Sequence, residues 1–244
     1  MKAERDLTDL VSRLKNAAGS NLLSVILYGS AATKEFHAGH SDLNIVCVMR
    51  ILGRDDLRKL HAPSAWWVKK GHPAPVFFTH REVHDSADGF AIQLLDLRAA
   101  RRILHGEDVV ASLNVPMDFH RLQLERELRN STLRLRQHYM RHPADSRKTL
   151  ELMTSSISTF AALFRHASIA LADNPPATKR GAVDRLASLL GCDPSPFHTI
   201  FEIREGHKRA RDVDVQATFE AYLDGVVKAT EEMDRRLATP PAPE

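Results

Sequence analysis

"LLSVILYGSAATKEFHAGHSDLNIVCVMR", residues 22–50, is the stretch on which the fold turns. Leu22–Tyr28 is a short, nearly continuous apolar run, the pattern of a strand buried in the middle of a sheet. It ends in Gly29-Ser30. A polar spacer follows, and residues 43–49 (LNIVCVM) are again apolar and β-branched, a second strand. Gly29 lets the backbone approach a ligand closely, and a turn opening a helix after a strand favours negative charge. Ser30 adds a hydroxyl donor for a phosphate oxygen. Asp42 opens the second strand and Asn44 lies two residues on, so their side chains share one face. Two carboxylates there would hold a divalent cation. In this chain the second is an amide.

Working outward, residues 4–18 carry Leu7, Leu10, Val11 and Leu14 at helical spacing, and Gly19-Ser20-Asn21 breaks that helix before the first strand. Downstream, the expectation is a short helix at Asp55–Leu60, a third strand at Val76-Phe77-Phe78, a fourth strand at Phe90–Leu97 (FAIQLLDL) and a helix over Ala99–Leu104. After Asn114-Val115-Pro116 no strand signal recurs. Apolar stripes at helical spacing run through 118–141, 147–171, 183–190, 197–204 and 213–237. Gly191 is the expected C-cap of the third of these. The fold class is therefore α+β: a mixed-sheet domain over residues 1–114, an all-α helical bundle over 117–238, and a disordered tail at 239–244 (TPPAPE).

Gly-Ser, a spacer near ten residues and an Asp-hydrophobic-acid strand form the signature of the nucleotidyltransferase superfamily. "LYGSAATKEFHAGHSDLNIV" resembles that signature, which unites DNA polymerase β-like enzymes with aminoglycoside and minimal nucleotidyltransferases. The resemblance implies a mixed-sheet nucleotidyltransferase domain, Mg²⁺ as cofactor and a nucleoside triphosphate as substrate or ligand. It implies transfer of NMP to a hydroxyl on a small molecule, protein or RNA. By the same resemblance Gly29, Ser30 and Ser41 would bind the nucleotide, Asp42 would be catalytic and a metal ligand, and Asn44 a second metal ligand. The third acid of the family falls at Gln93 if FAIQLLDL is a strand, with Asp96 three residues on facing the other side. The carboxylate triad is degraded. An amide brings no charge to a cation, and Gln93 accepts no proton. Loss of a catalytic base alone costs roughly 10²–10⁴ in rate. The expectation is weak or lost catalysis, Mg²⁺ weakly held or lost, and, as the alternative, a non-catalytic nucleotide-binding or partner-binding module: a pseudoenzyme.

Composition limits the rest. The chain is 43% apolar and 27% charged over 244 residues, with 34 Lys and Arg against 31 Asp and Glu. It has no apolar run of membrane length and no apolar leader at its start, so a cytoplasmic protein without membrane attachment is expected. Cys47 and Cys192 are too few for a disulfide framework, and Cys47, inside an apolar strand, should be inert. No GxxxxGK[ST] phosphate loop and no Gly-X-Ser-X-Gly elbow occurs. The basic run Arg121–Lys148 fits a solvated helix face with i,i+4 pairs such as Glu125–Arg129 better than a polyphosphate or RNA surface. His37 and His40 flank the phosphate turn, while His80, His84 and Asp85 would bind metal only if they converged. Trp66-Trp67 beside Lys69 and Lys70 reads as aromatics packed under a loop rather than a base-stacking platform. Arg204 and Lys208 are further candidates for a phosphate or acceptor.

Overall fold

The computed structural model describes residues 2–32, 43–172, 176 and 178–237. Ser41, Asp42, His37 and His40 lie outside the described residues. The chain divides into two compact units, Met1–Phe119 and His120–Glu244.

In the first unit, α1 (Lys2–Ala18) and a 3₁₀ turn (Gly19–Asn21) lead into β1 (Leu22–Tyr28), with the strand bounds expected from its apolar run. A second 3₁₀ turn (Gly29–Ala32) follows, then β2 (Asn44–Met49), α2 (Arg54–Lys69), β3 (Val76–Thr79), α3 (His80–Asp85), α4 (Ala91–Ala99) and β4 (Arg101–Gly106). The sheet order is β3-β2-β1-β4. β1 is antiparallel to both neighbours, while β2 and β3 are parallel with α2 as the crossover, so the sheet is mixed.

Side-chain alternation splits the apolar residues between the two faces. Val25, Leu27, Ile45, Cys47 and Met49 pack under Leu7, Leu10 and Leu14 of α1 and Leu60 and Trp67 of α2. On the other face, Ile26, Val46 and Val48 pack against Val83 of α3, Leu94, Leu95 and Leu97 of α4, and the segment from Val109 to Val115. Both faces are covered, which is why β1 and β2 read as unbroken apolar runs.

Three sequence expectations are corrected here. FAIQLLDL is the helix α4, not a strand, and the fourth strand lies where a helix was expected. The reason is periodicity: α4 buries Ala91, Ile92, Leu94, Leu95 and Leu97 and exposes Gln93, a helical and not an alternating pattern. β4 is an edge strand beginning Arg101-Arg102, exposed at Arg102 and Gly106 and half-buried between and before them, so it lacks an apolar signature. The short helix at 55–60 in fact extends to Lys69 through the buried Pro63. Trp66 and Trp67 therefore sit on a helix. Trp67 is fully buried, and the Arg13 guanidinium lies 4.4 Å from the centre of the Trp66 ring.

The second unit is all helical: α5 (Met117–Arg141), most of which belongs to it, then α6 (Ser146–Ala172), α7 (Lys179–Leu190), α8 (Ser195–Arg204) and α9 (Val215–Leu237). α6 packs against α7, α8 and α9. Its stripe of Met153, Ile157, Phe160 and Phe164 is buried. Phe164 meets Phe197 edge-on at 5.3 Å, and Tyr222 lies against both Phe197 and Phe160. Burial raises the pKa of the Tyr222 hydroxyl, which shares a 3.0 Å hydrogen bond with Ser156. Gly191 caps α7 in the left-handed conformation, at φ 60°. Among the described residues no helix is long and apolar enough to cross a membrane.

Candidate functional site

The turn after β1 forms because glycine tolerates what it demands. Gly29 has φ +78°, a backbone state that L side chains rarely adopt. Its N–H donates to the carbonyl of Ala100 at 3.1 Å, at the start of β4, which fixes the turn to the sheet edge. That amide is thus engaged with backbone, and any phosphate would meet the N–H groups after it. Gly29-Ser30-Ala31-Ala32 then makes one 3₁₀ turn.

Asn44 begins β2 directly opposite Tyr28. A Cβ placed on Gly29 would lie 3.5 Å from Asn44 Nδ2, so the amide rests against the bare side of the glycine. Tyr28 also pairs with Arg101 of β4. Directly opposed residues in an antiparallel ladder project to one face. Asn44, Tyr28 and Arg101 thus stand together, and alternation puts them on the face with Ile26, Val46 and Val48, the face covered by α4.

Asp96 enters from α4. Burial, and then the Asp96 carboxylate, push the Tyr28 hydroxyl above the ordinary tyrosine range. Gln93 is exposed on the same helix. On a strand the two would face apart. On a helix at i,i+3 they share a side, so the register that assigned the third acid to Gln93 does not hold. Arg101 is held by Asp108, with contacts of 2.7 and 3.0 Å, and this ion pair ties the "LHGEDV" segment to β4. The Arg101 hydrogen bond holds the Asp108 carboxyl below its usual pKa, assisted by the N–H groups of Val110 and Ala111.

Sequence reading did not anticipate Tyr28, Arg101 or Asp108 in this neighbourhood. The signal in the sequence is slight: Arg101 and Asp108 are opposite charges at the two ends of "RRILHGED", and Tyr28 immediately precedes the glycine.

The remaining candidates engage neighbours of their own. His80 and His84 stack within α3 at 4.8 Å, and Asp85 pairs with Arg81 at 2.9 Å. Among the described residues no group of three His, Cys, Asp or Glu side chains is arranged to hold a metal ion. Arg204 donates to Ser158 Oγ in the helical unit. In the basic run, Arg129 pairs with Glu125 at 3.1 Å and also with Asp234, and Arg147 pairs with Glu151.

The fold is similar to that of spectinomycin adenyltransferase AAD(9) from Enterococcus faecialis, solved with ATP and spectinomycin. The TM-score is 0.59 at 13% sequence identity, over 91% of this chain and 99% of that one. No protein-family model matches the chain, and no curated protein matches it. At this identity the likeness defines the fold: a nucleotidyltransferase-type mixed sheet followed by a helical domain.

Proposed function

We propose that this chain binds a nucleoside triphosphate at the turn after β1, through Gly29, Ser30 and Ser41, and that NMP transfer from it is slow or lost. The reading rests on the neutral Asn44 amide packed against Gly29, where a metal centre of this fold calls for a carboxylate. Whether Mg²⁺ fits can be judged from the donors. Asn44 offers one uncharged oxygen, and Asp42 is the acid two residues before it in the sequence. Opposite charge is most of what holds a hard cation. These residues fit a two-metal centre poorly. The triphosphate is then held mainly by turn N–H groups and hydroxyls, and its binding is nearly indifferent to Mg²⁺.

A second reading is favoured by one observation, the place of Asp96 on α4, the helix that covers the sheet face carrying Tyr28. In that reading the acceptor hydroxyl attacks the α-phosphorus, the new P–O bond forms as the bond to pyrophosphate breaks, and Asp96 takes the acceptor proton. The acceptor is then a small molecule, a protein or an RNA.

The two are separated by incubating the protein with labelled ATP, CTP, GTP and UTP in Mg²⁺ or Mn²⁺ and measuring pyrophosphate release. Nucleotide binding is measured by calorimetry with and without EDTA. The first reading expects binding that EDTA leaves within about threefold, with no release above a boiled control. Metal-dependent release that falls about 10²–10⁴-fold in Asp96→Asn, and disappears in Asp42→Ala, establishes the second. Absence of any nucleotide binding overturns both.

A further inference from the structure

At the other end of β1 and β2 lies a cavity of about 360 Å³, within the size range of small-ligand sites. The Gly29 turn is about 20 Å away along the strand, at roughly 3.3 Å per residue. Ala17 and Ala18 of α1, Met49 of β2 and Leu60 of α2 line it, and Met49 and Leu60 are buried in the same core cluster. Its polar lining is Ser20, Asn21, Arg50, Asp56 and Lys59.

The wall is fixed by hydrogen bonds that use up its neutral and acidic groups. Asn21 Nδ2 donates to the Ile51 carbonyl at 3.0 Å and to Asp56 Oδ1 at 3.2 Å, and Asn21 Oδ1 accepts from the Ile51 N–H at 3.0 Å. The other oxygen of Asp56 accepts the Gly53 N–H at 2.9 Å and caps α2. Among the described residues Asp56 is the one acid lining the cavity, and both its oxygens accept hydrogen bonds. Arg50 gives its Nε proton to the Ser20 carbonyl at 3.1 Å, which aims the guanidinium. Among the described residues neither Arg50 nor Lys59 has an ion-pair partner. Ile51, also lining the cavity, is 67% exposed.

We infer that this cavity is a binding site for a small organic acid, its apolar body lying on Ala17, Ala18 and Ile51 over the buried Met49 and Leu60, and its carboxylate between Arg50 and Lys59. A preformed apolar hollow with a few placed polar groups is how proteins hold small ligands. The lining carries two cations against one carboxylate, a net positive charge that an anionic head completes by bonds of the stronger, charge-assisted kind. A triphosphate has too much charge and too little apolar surface for it. The site is independent of the turn after β1, so its occupancy stands or falls separately from nucleotide binding.

The test uses the full chain, amide-labelled for NMR, titrated with 1-naphthoate and, in parallel, with the neutral 1-naphthamide. Naphthoate is expected to shift the amides of Ala18, Asn21, Arg50, Ile51 and Lys59, and to leave those of Gly29 and Asn44 in place. Naphthamide is expected to bind at least tenfold more weakly. Lys59→Gln, at an exposed position, should lower naphthoate affinity about tenfold without touching naphthamide, the size expected of one charge-assisted hydrogen bond. Ala17→Leu, which fills the hollow, should abolish both. Equal binding of acid and amide, shifts scattered over the surface, shifts centred on Gly29, or no binding at millimolar probe each overturn the proposal.

Discussion

Gly29 and Gly106 share φ +78°, yet substitution should cost very different amounts at the two positions. At Gly29 a Cβ meets only Asn44 Nδ2 at 3.5 Å, an ordinary contact. The cost of Gly29→Ala is therefore backbone strain, about 1–2 kcal/mol. Adding Asn44→Ala should not relieve it, so the double-mutant coupling stays within about 0.5 kcal/mol. At Gly106 a Cβ would lie 1.8 Å from the Leu23 carbonyl oxygen, closer than non-bonded heavy atoms can approach. Gly106→Ala must part β1 from β4 and should cost about 4 kcal/mol or more, in the range reserved for core disruption. Urea denaturation of the variants checks both, and a Gly29→Ala penalty that Asn44→Ala cancels would show that side-chain crowding, not conformation, governs the turn. At this scale the sequence was most legible where chemistry and backbone coincide. The turn at Gly29 and the strand from Asn44 could be read directly, because a Gly-Ser after an apolar run and a β-branched apolar stretch each carry a local pattern. Asp96 could not, because its meaning depends on whether it lies on a strand or a helix.

The elements show where such patterns stop. β1, β2 and the helices of the second unit are long or strongly periodic, and their sequence pattern matches the structure closely. α4 and β4 were interchanged because a nine-residue helix buried on most sides resembles a core strand, and an edge strand opening with two arginines resembles a surface helix. What decides between them is pairing with β1, a long-range contact no local window contains. Within α9 the converse holds, and packing overrides propensity. Alanine is normally about 1 kcal/mol better than glycine in a helix interior. At Gly225, however, a Cβ would lie 2.8 Å from Phe197 Cε2, and that ring is confined by Phe164 and Tyr222. Gly225→Ala should therefore destabilise the protein, by about 1–3 kcal/mol for an overpacked core. A rise in the urea midpoint instead would mean that the ring has room to yield.

For the whole molecule, the buried ionisable groups set the pH window of stability. Burial raises the pKa of Cys47, Tyr222 and Tyr28, in the last case with help from Asp96. A raised folded pKa means that the native state holds its proton more tightly. Its contribution is complete below the unfolded values, about 8.5 for cysteine and 10 for tyrosine, and is lost as pH climbs toward the folded ones. The lowered carboxylates are Glu4, Glu82, Asp108 and Asp193, each held mainly by hydrogen bonds, and they act in the opposite sense. They contribute above about pH 4 and are lost below it, shallowly, since all lie near solvent. Urea midpoints taken across pH should show a plateau from about pH 5 to 8, a gentle acid slope and a steep alkaline one. A flat alkaline limb would contradict the burial of these groups. The depth of Cys47 in β2, opposite Val25, has one more consequence. A thiol-modifying reagent reaches the half-exposed Cys192 first, so the delay before the second thiol is captured becomes an internal clock for how often the central strands come apart.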